Sequence, residues 1–528
     1  MKPPWEDHVA ARAEVLLGLA DSLADRLADA ARARTSVSAQ RALLRAIGVS
    51  GLAPDGRSLA LEVVHRFAAA DRRLLRTGIV LPFALAAHEY DLDPQQLALE
   101  VIDGHVDLAA EADLLRRRER AKPARALLET WLAAADNRFE ANRVARAELA
   151  DLFGQPPLPA VAVEERAFDA RDAATHAAML VTSGADLVRV RVPRDGELRD
   201  DLGAVATEDE WPVGPEAPPP AGSQRGLAVV RAALDEAGAA AGRYPGLAIR
   251  RVGLAAPELA LVAGFERVDA VFTDPMEAIA QVGVDPDRAL ADHALAQALL
   301  ARSGARLVLP AGPVAEPTTW AAPAQVAAAS GRALALQALS RAFALRNGFP
   351  ADRLDLDACP PFAVTRDGAL HPLVDVALRA LLFPQHRLVV EDQVGEAAGV
   401  ALPAMIATWA AEPARIGTVF VRADAPRLDR ERDAVRGALL AAAVLVDARS
   451  VGEFRGSALD MARTTLNAAI ETLEAIERGG LASVFGHSDR IGATGLEARG
   501  PRDAASAWAW GEERHLDEIS VPSETPNG

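Results

Sequence analysis

From Gly154-Gln155-Pro156-Pro157 onward the sequence alternates short β-branched runs with longer amphipathic stretches, and this alternation restricts the possible folds more than any other feature. Parallel strands need a crossover long enough to carry the chain back to its starting edge, so strand–helix–strand repetition builds a parallel sheet. Eight runs can be read: Ala160–Val163, Leu187–Val192, Leu247–Val252, Val268–Thr273, Arg306–Leu309, a weak one at Pro361–Val364, Arg387–Val390 and Thr418–Arg422. Between them Arg171–Thr182, Gly226–Ala241, Pro286–Ala301, Pro323–Leu345 and Arg430–Val446 carry apolar residues at helical spacing. Eight β–α units in succession predict an α/β fold, a closed (β/α)₈ TIM barrel, with an open doubly wound sheet as the alternative.

The rest of the chain frames that barrel. Residues 1–153 read as a helical N-terminal domain, in which Thr35-Ser36-Val37-Ser38 breaks the first helix and offers hydroxyl caps to the next, which ends at Gly48. Residues 154–447 form the barrel domain, 448–482 a C-terminal helix running over Val451–Glu477, and 483–528 a polar tail. Within the barrel, TEDEWPVGPEAPPPAGSQ (207–224) is too rich in proline, glycine and acid for strand or regular helix and reads as a long loop. The tail, with Trp508-Ala509-Trp510, reads as a docking arm or a partly disordered segment.

Charge and composition narrow the chemistry. With 57 basic and 74 acidic residues the formal net charge is −17, which repels nucleic-acid backbones and anionic lipid. The single cysteine, Cys359, cannot form an intrachain disulfide, an iron–sulfur cluster or a cysteine-rich zinc site. The acidic N-terminus without an apolar core is unlike a secretory signal, and no stretch has the length of apolar residues a membrane helix needs, so a cytoplasmic location is expected. Only two of the basic residues are lysines, Lys2 and Lys122.

Neither lysine follows a glycine-rich loop, which excludes a P-loop nucleotidase. No two of the ten histidines stand three to five residues apart, as a helix-borne metal site requires. Asp103-Gly104-His105 matches the start of a cobalamin-binding D-x-H-x-x-G loop, but Leu108 stands at the glycine position and the segment reads as a helix–helix turn. There is no G-x-S-x-G elbow for a serine nucleophile.

A barrel would present the ends of its strands at one mouth: Glu164, Glu165 and Arg166, then Arg194 and Asp195, Thr273 and Asp274, Glu316 and Thr318, and Glu391, Asp392 and Gln393. Mixed carboxylates and guanidiniums suit a small zwitterionic or anionic substrate, and a solvated rim has the same composition.

Several segments carry a family resemblance in serial order: TSVSAQRALLRAIGVSG (35–51), TGIVLPFALAAHEYDLDPQQLALEVIDGHVDL (77–108), SGADLVRVRVP (183–193), PELALVAGFERVDAVFTDPMEAI (257–279), ALQALSRAFALRNGFP (335–350), DGALHPLVDVALRALLFP (367–384) and AIETLEAIERGGL (469–481). Together they resemble the large (α) subunit of D-lysine 5,6-aminomutase. The resemblance implies a cobalamin-free TIM barrel that acts with a small cobalamin-binding β-type subunit. It implies adenosylcobalamin and pyridoxal phosphate as cofactors and a 1,2-shift of an amino group on a basic amino acid such as lysine. The partner donates the lysine that holds the pyridoxal aldehyde, and this chain independently has no lysine within its barrel segment.

The resemblance also marks departures. The family's arginine and serine after the second strand correspond here to Val192 and Glu197, with Arg194 out of register; a serine after the third corresponds to Val252; a tyrosine and an arginine after the fourth correspond to Glu277 and Val282. The family histidine near the sixth strand has no counterpart beside Cys359, and of the strand-end positions Asp274 stays. The candidate cofactor- or substrate-binding residues are therefore Arg194, Asp274, Glu277 and Glu316, with no catalytic residue assigned and no metal site expected. Two readings follow: a large aminomutase subunit with an altered pocket, or a non-catalytic barrel paralogue acting as a regulatory or scaffold partner.

Overall fold

The computed structural model describes residues 6–51, 53, 58–69, 71–115, 118–167, 169–191, 221–250, 255–310, 323–358, 370–391, 416–421, 428, 432–433, 455–485, 496–500 and 503–510. Eight parallel strands close into a barrel, each pairing with its sequence neighbour and the last returning to the first. After a short strand β1 (Arg34–Ser36), the barrel strands are β2 (Ala160–Glu165), β3 (Leu187–Arg191), β4 (Gly246–Arg250), β5 (Ala270–Phe272), β6 (Arg306–Leu309), β7 (Leu354–Asp357), β8 (Arg387–Glu391) and β9 (Ile416–Val421). The expected TIM barrel is the observed fold, and its own sheet closes without an edge.

One strand is corrected. The sixth barrel strand is Leu354-Asp355-Leu356-Asp357, not Pro361–Val364, which lies outside the described residues. Alternating aspartates suggest a solvated loop, but inside this barrel Asp355 is held by Nε and Nη2 of Arg306 on β6, at 2.6 Å each. That pairing makes a charged residue an acceptable inward side chain.

Alternation along the strands separates an outer face, packed on helices, from an inner face. The inner cluster is small: Ala162, Ala248, Ala270, Phe272, Val308, Val389 and Phe420. Gly246 leaves room for the neighbouring strand's side chain: a Cβ there would lie 2.5 Å from Leu187 Cδ1, which would have to move aside. The outer residues, such as Val161, Val163, Val188, Val190, Leu247, Ile249, Leu307 and Leu309, join the main core that runs on into the helical region.

That region contains α1 (Glu6–Arg32), α2 (Val37–Ala46), α3 (Leu59–Ala69), α4 (Val80–Tyr90), α5 (Pro94–Ile102), α6 (Leu108–Leu114) and the long α7 (Arg118–Phe153). Ser36 caps α2 by accepting from Ala39 N at 3.0 Å, the hydroxyl cap foreseen in the sequence. Asp103-Gly104-His105 forms the turn between α5 and α6. The barrel helices are α8 (Ala170–Thr182), α9 (Gln224–Ala241), α10 (Ala256–Phe265), the short α11 (Pro275–Glu277), α12 (Pro286–Ser303), α13 (Pro323–Arg346) and α14 (Leu370–Leu382). Arg41 and Arg45 of α2 both reach Glu258 of α10, which is fully buried. Removing one partner from such a buried group costs about 3–5 kcal/mol, so this clamp fixes the helical region on the barrel.

Two features of the C-terminal part were not legible as elements. β10 (Leu496–Ala498) pairs antiparallel with β1, and Trp508 Nε1 donates to Asp136 Oδ2 of α7 at 2.9 Å while its ring stacks on Phe139. The helix Arg455–Gly479 packs so closely on α13 that a Cβ at Gly331 would meet Thr465 O at 2.5 Å. Among the described residues no helix is long and apolar enough to cross a membrane.

Candidate functional site at the carboxyl mouth of the barrel

Parallel strands place all their carboxyl ends on one face, so residues far apart in sequence converge there. The register puts Glu164 beside Arg189, Arg191 beside Arg250, and Glu391 beside Phe420. Arg189 is the centre of the arrangement. It donates to Glu391, lies 3.5 Å from Glu164, and places its guanidinium carbon 4.1 Å and 4.8 Å from the ring centroids of Phe420 and Phe272. The two rings meet edge to face at 5.5 Å, so the cation sits in an aromatic cage as well as between carboxylates.

Arg250 repeats the pattern one strand on. Its Nη2 donates to Glu277 Oε1 at 2.9 Å and its Nη1 to Glu391 Oε2 at 3.4 Å. Burial works against its charge, but Glu277, Glu391 and Asp357 outweigh that effect and hold its pKa above the ordinary value. Glu391 thus bridges both arginines, one oxygen to each. Asp357 pairs in register with Val389 of the inner cluster, which puts it on the inward face as well.

Beside this network, the chain leaving β5 turns sharply. Asp274 caps α11, its Oδ1 accepting from Met276 N and from the Ser340 hydroxyl of α13, each at 2.7 Å. Its Oδ2 has no hydrogen-bond partner. Burial pushes the Asp274 carboxyl up to about 7, with the charge of nearby Glu277 adding to the rise against hydrogen bonds from Ser340 and from the Met276 and Glu277 backbone. Thr273 hydrogen-bonds His293 Nε2 at 3.0 Å, and His293 Nδ1 lies 2.8 Å from Ala289 O. Burial depresses the His293 pKa to about 4, so the ring is neutral near pH 7, with Nδ1–H donating to Ala289 O and the Thr273 hydroxyl donating to Nε2.

The sequence-derived candidates fall into three groups. Asp274 and Glu277 lie together at the mouth, with Glu164 and Glu391 in the same charge network. Glu165 instead turns the chain away from β2, its Oε1 accepting from Arg166 N and Ala167 N, and Arg166 is 63% exposed on the rim. Arg194, Asp195, Glu316, Thr318, Asp392 and Gln393 lie outside the described residues, as do Val192, Glu197, Val252 and Cys359. Arg189, Arg250 and Asp357 were missed. Their signal was in the strands: Leu187-Val188-Arg189-Val190-Arg191 alternates, and the helices claim the apolar face of a barrel strand, leaving arginine inside.

Comparison with known protein families agrees with the barrel fold. The family described as D-Lysine 5,6-aminomutase TIM-barrel domain of alpha subunit matches residues 10–389. The lysine 5,6-aminomutase alpha subunit of Fusobacterium nucleatum is 25% identical over 360 residues, covering 67% of this chain and 65% of that protein. The alpha subunit of Acetoanaerobium sticklandii is 24% identical over 355 residues, covering 66% of this chain and 64% of that protein. The matches therefore span less than two thirds of the length of either relative. Among solved structures, Yersinia pestis DHPS bound to a pterine-sulfa conjugate aligns at 12% identity over 54% of this chain and 93% of its own, with a TM-score of 0.35. With the family match covering the helical region and the barrel through β8, the chain belongs to the D-lysine 5,6-aminomutase alpha-subunit TIM-barrel family.

Proposed function

We propose that the chain acts as the barrel-bearing large subunit of a two-chain aminomutase. Its mouth would receive a basic amino acid such as lysine, and a small cobalamin-binding β-type subunit would bring adenosylcobalamin and anchor pyridoxal phosphate. The observation that carries this reading is the charge of the inner mouth. Among the described side chains, Glu164, Glu277, Glu391 and Asp357 face Arg189 and Arg250, four carboxylates against two guanidiniums. A ring with surplus negative charge and little water attracts an ammonium group, and the open Oδ2 of Asp274 is an acceptor waiting for a donor. In this reading the cofactors supply the radical and carbonyl chemistry of a 1,2-amino shift, while this chain binds the ammonium end of the substrate and orients it.

A second reading, a non-catalytic regulatory or scaffold partner, is favoured by Arg189, whose two terminal nitrogens are paired with Glu391 and Glu164 and whose guanidinium lies against two aromatic rings. One experiment separates the two. The chain is co-expressed with a small cobalamin-binding subunit, and the purified material is scanned for the visible absorbance of bound pyridoxal phosphate and assayed for lysine isomerisation. A complex with absorbance and turnover supports the first reading; a complex with neither supports the second; the absence of any complex removes the two-chain proposal.

A further inference from the structure

We infer that the inner mouth of this barrel excludes phosphate monoesters and does not hold the phosphate of pyridoxal phosphate, in disagreement with the pocket that family resemblance implies. A phosphate monoester carries close to two negative charges at neutral pH and is gripped in proteins by guanidiniums with free donors. Of the mouth cations whose side chains are described, Arg189 pairs its two terminal nitrogens with Glu391 and Glu164, keeps its Nε buried and is boxed by two aromatic rings, and Arg250 is engaged by Glu277 and Glu391. Arg166 stands outside them on the exposed rim.

The bridging position of Glu391 makes the exclusion cooperative. A phosphate approaching either arginine would displace one oxygen of a carboxylate whose other oxygen is held by the second arginine. It would also meet Asp357 and Glu277, and Glu277 occupies a position where the resemblance places a neutral tyrosine. An aldehyde delivered there would find no amine within the barrel, since Lys2 and Lys122 both precede it. The inference concerns this chain alone and holds whether or not the two-chain assembly forms.

Pyridoxine 5′-phosphate is a suitable probe, because it keeps the ring and phosphate but lacks the aldehyde that would react with a surface amine. In equilibrium dialysis at low salt, the full chain is expected to show no saturable site for this compound or for inorganic phosphate up to about 1 mM. The double variant Glu277→Gln/Glu391→Gln releases Arg250 and is expected to gain retention of inorganic phosphate by about tenfold or more. One-to-one saturable binding by the unaltered chain overturns the inference, and this arm does not depend on any variant folding. A double variant with an unchanged circular dichroism spectrum and no gain overturns it too, because the carboxylates would then not be the cause. Where a complex with the small subunit forms, binding that survives Arg250→Gln supports the inference by leaving the phosphate with the partner; binding abolished by Arg250→Gln overturns it.

Discussion

At the amino end of the barrel Asp269 is saturated: it accepts from Arg146 Nε at 2.8 Å, Tyr244 OH at 3.0 Å, Leu247 N at 2.8 Å and Arg231 Nη1 at 3.4 Å. At the carboxyl end Asp274 takes two bonds on one oxygen and none on the other. Both aspartates flank the same strand, β5, only five positions apart in sequence. Asp269 has both of its acceptor oxygens used; the mouth keeps an acceptor open on Asp274 and, among the described side chains, a surplus of negative charge. Buried polar groups are normally satisfied, so an unsatisfied one at the functional face of a barrel marks where a ligand group can be received.

The comparison can be broken most severely at its closed end. Asp269→Ala strands Arg146, Arg231 and the Tyr244 hydroxyl together, and unfolding by denaturant should show a loss of about 3–5 kcal/mol. At the mouth the sign reverses. The folded Asp274 carboxyl keeps its proton to about 7, whereas an unfolded aspartate loses it near the ordinary 3.8, so its contribution to stability is full below that lower value and is lost as pH rises through the higher one. Asp274→Asn should therefore match the wild type at pH 4 and exceed it by about 1–3 kcal/mol at pH 8, read from thermal melts across that range. A D274N protein less stable than wild type at pH 8 would show that the mouth tolerates its open carboxylate without cost. The rim should barely respond: Arg166, 63% exposed and 3.9 Å from Glu164, can be changed to glutamine with an expected effect below about 0.5 kcal/mol in the same melts.

The barrel was legible because seven of its eight strands carry β-branched runs flanked by helical stretches, a pattern that survives without any knowledge of partners. The eighth, Leu354–Asp357, was not, since its stabilising partner Arg306 lies 49 residues away and nothing local reports that ion pair. The same blindness hid the mouth. Glu164, Asp274 and Glu391 could be picked out by position near strand ends, but Arg189 lies inside β3, and Arg250, the last residue of β4, fell inside the longer strand read as Leu247–Val252. Glu277 was singled out only through its departure from a family pattern; its role as a counter-ion to Arg250 depends on a turn that begins with the Asp274 cap. The β1–β10 ladder, at three residues a side, is too short to leave any periodicity.

That ladder bears on how the protein is made. The edge of β1 is exposed as soon as the first helix leaves the ribosome, yet the segment that covers it is synthesised only after every barrel strand. Throughout translation of the barrel, the amino-terminal helices must wait with an unpaired strand edge and with Asp136 and Phe139 lacking their tryptophan. Completion of the helical region thus waits until the barrel strands have been made, and the ladder ties the amino-terminal helices to a segment that follows the whole barrel.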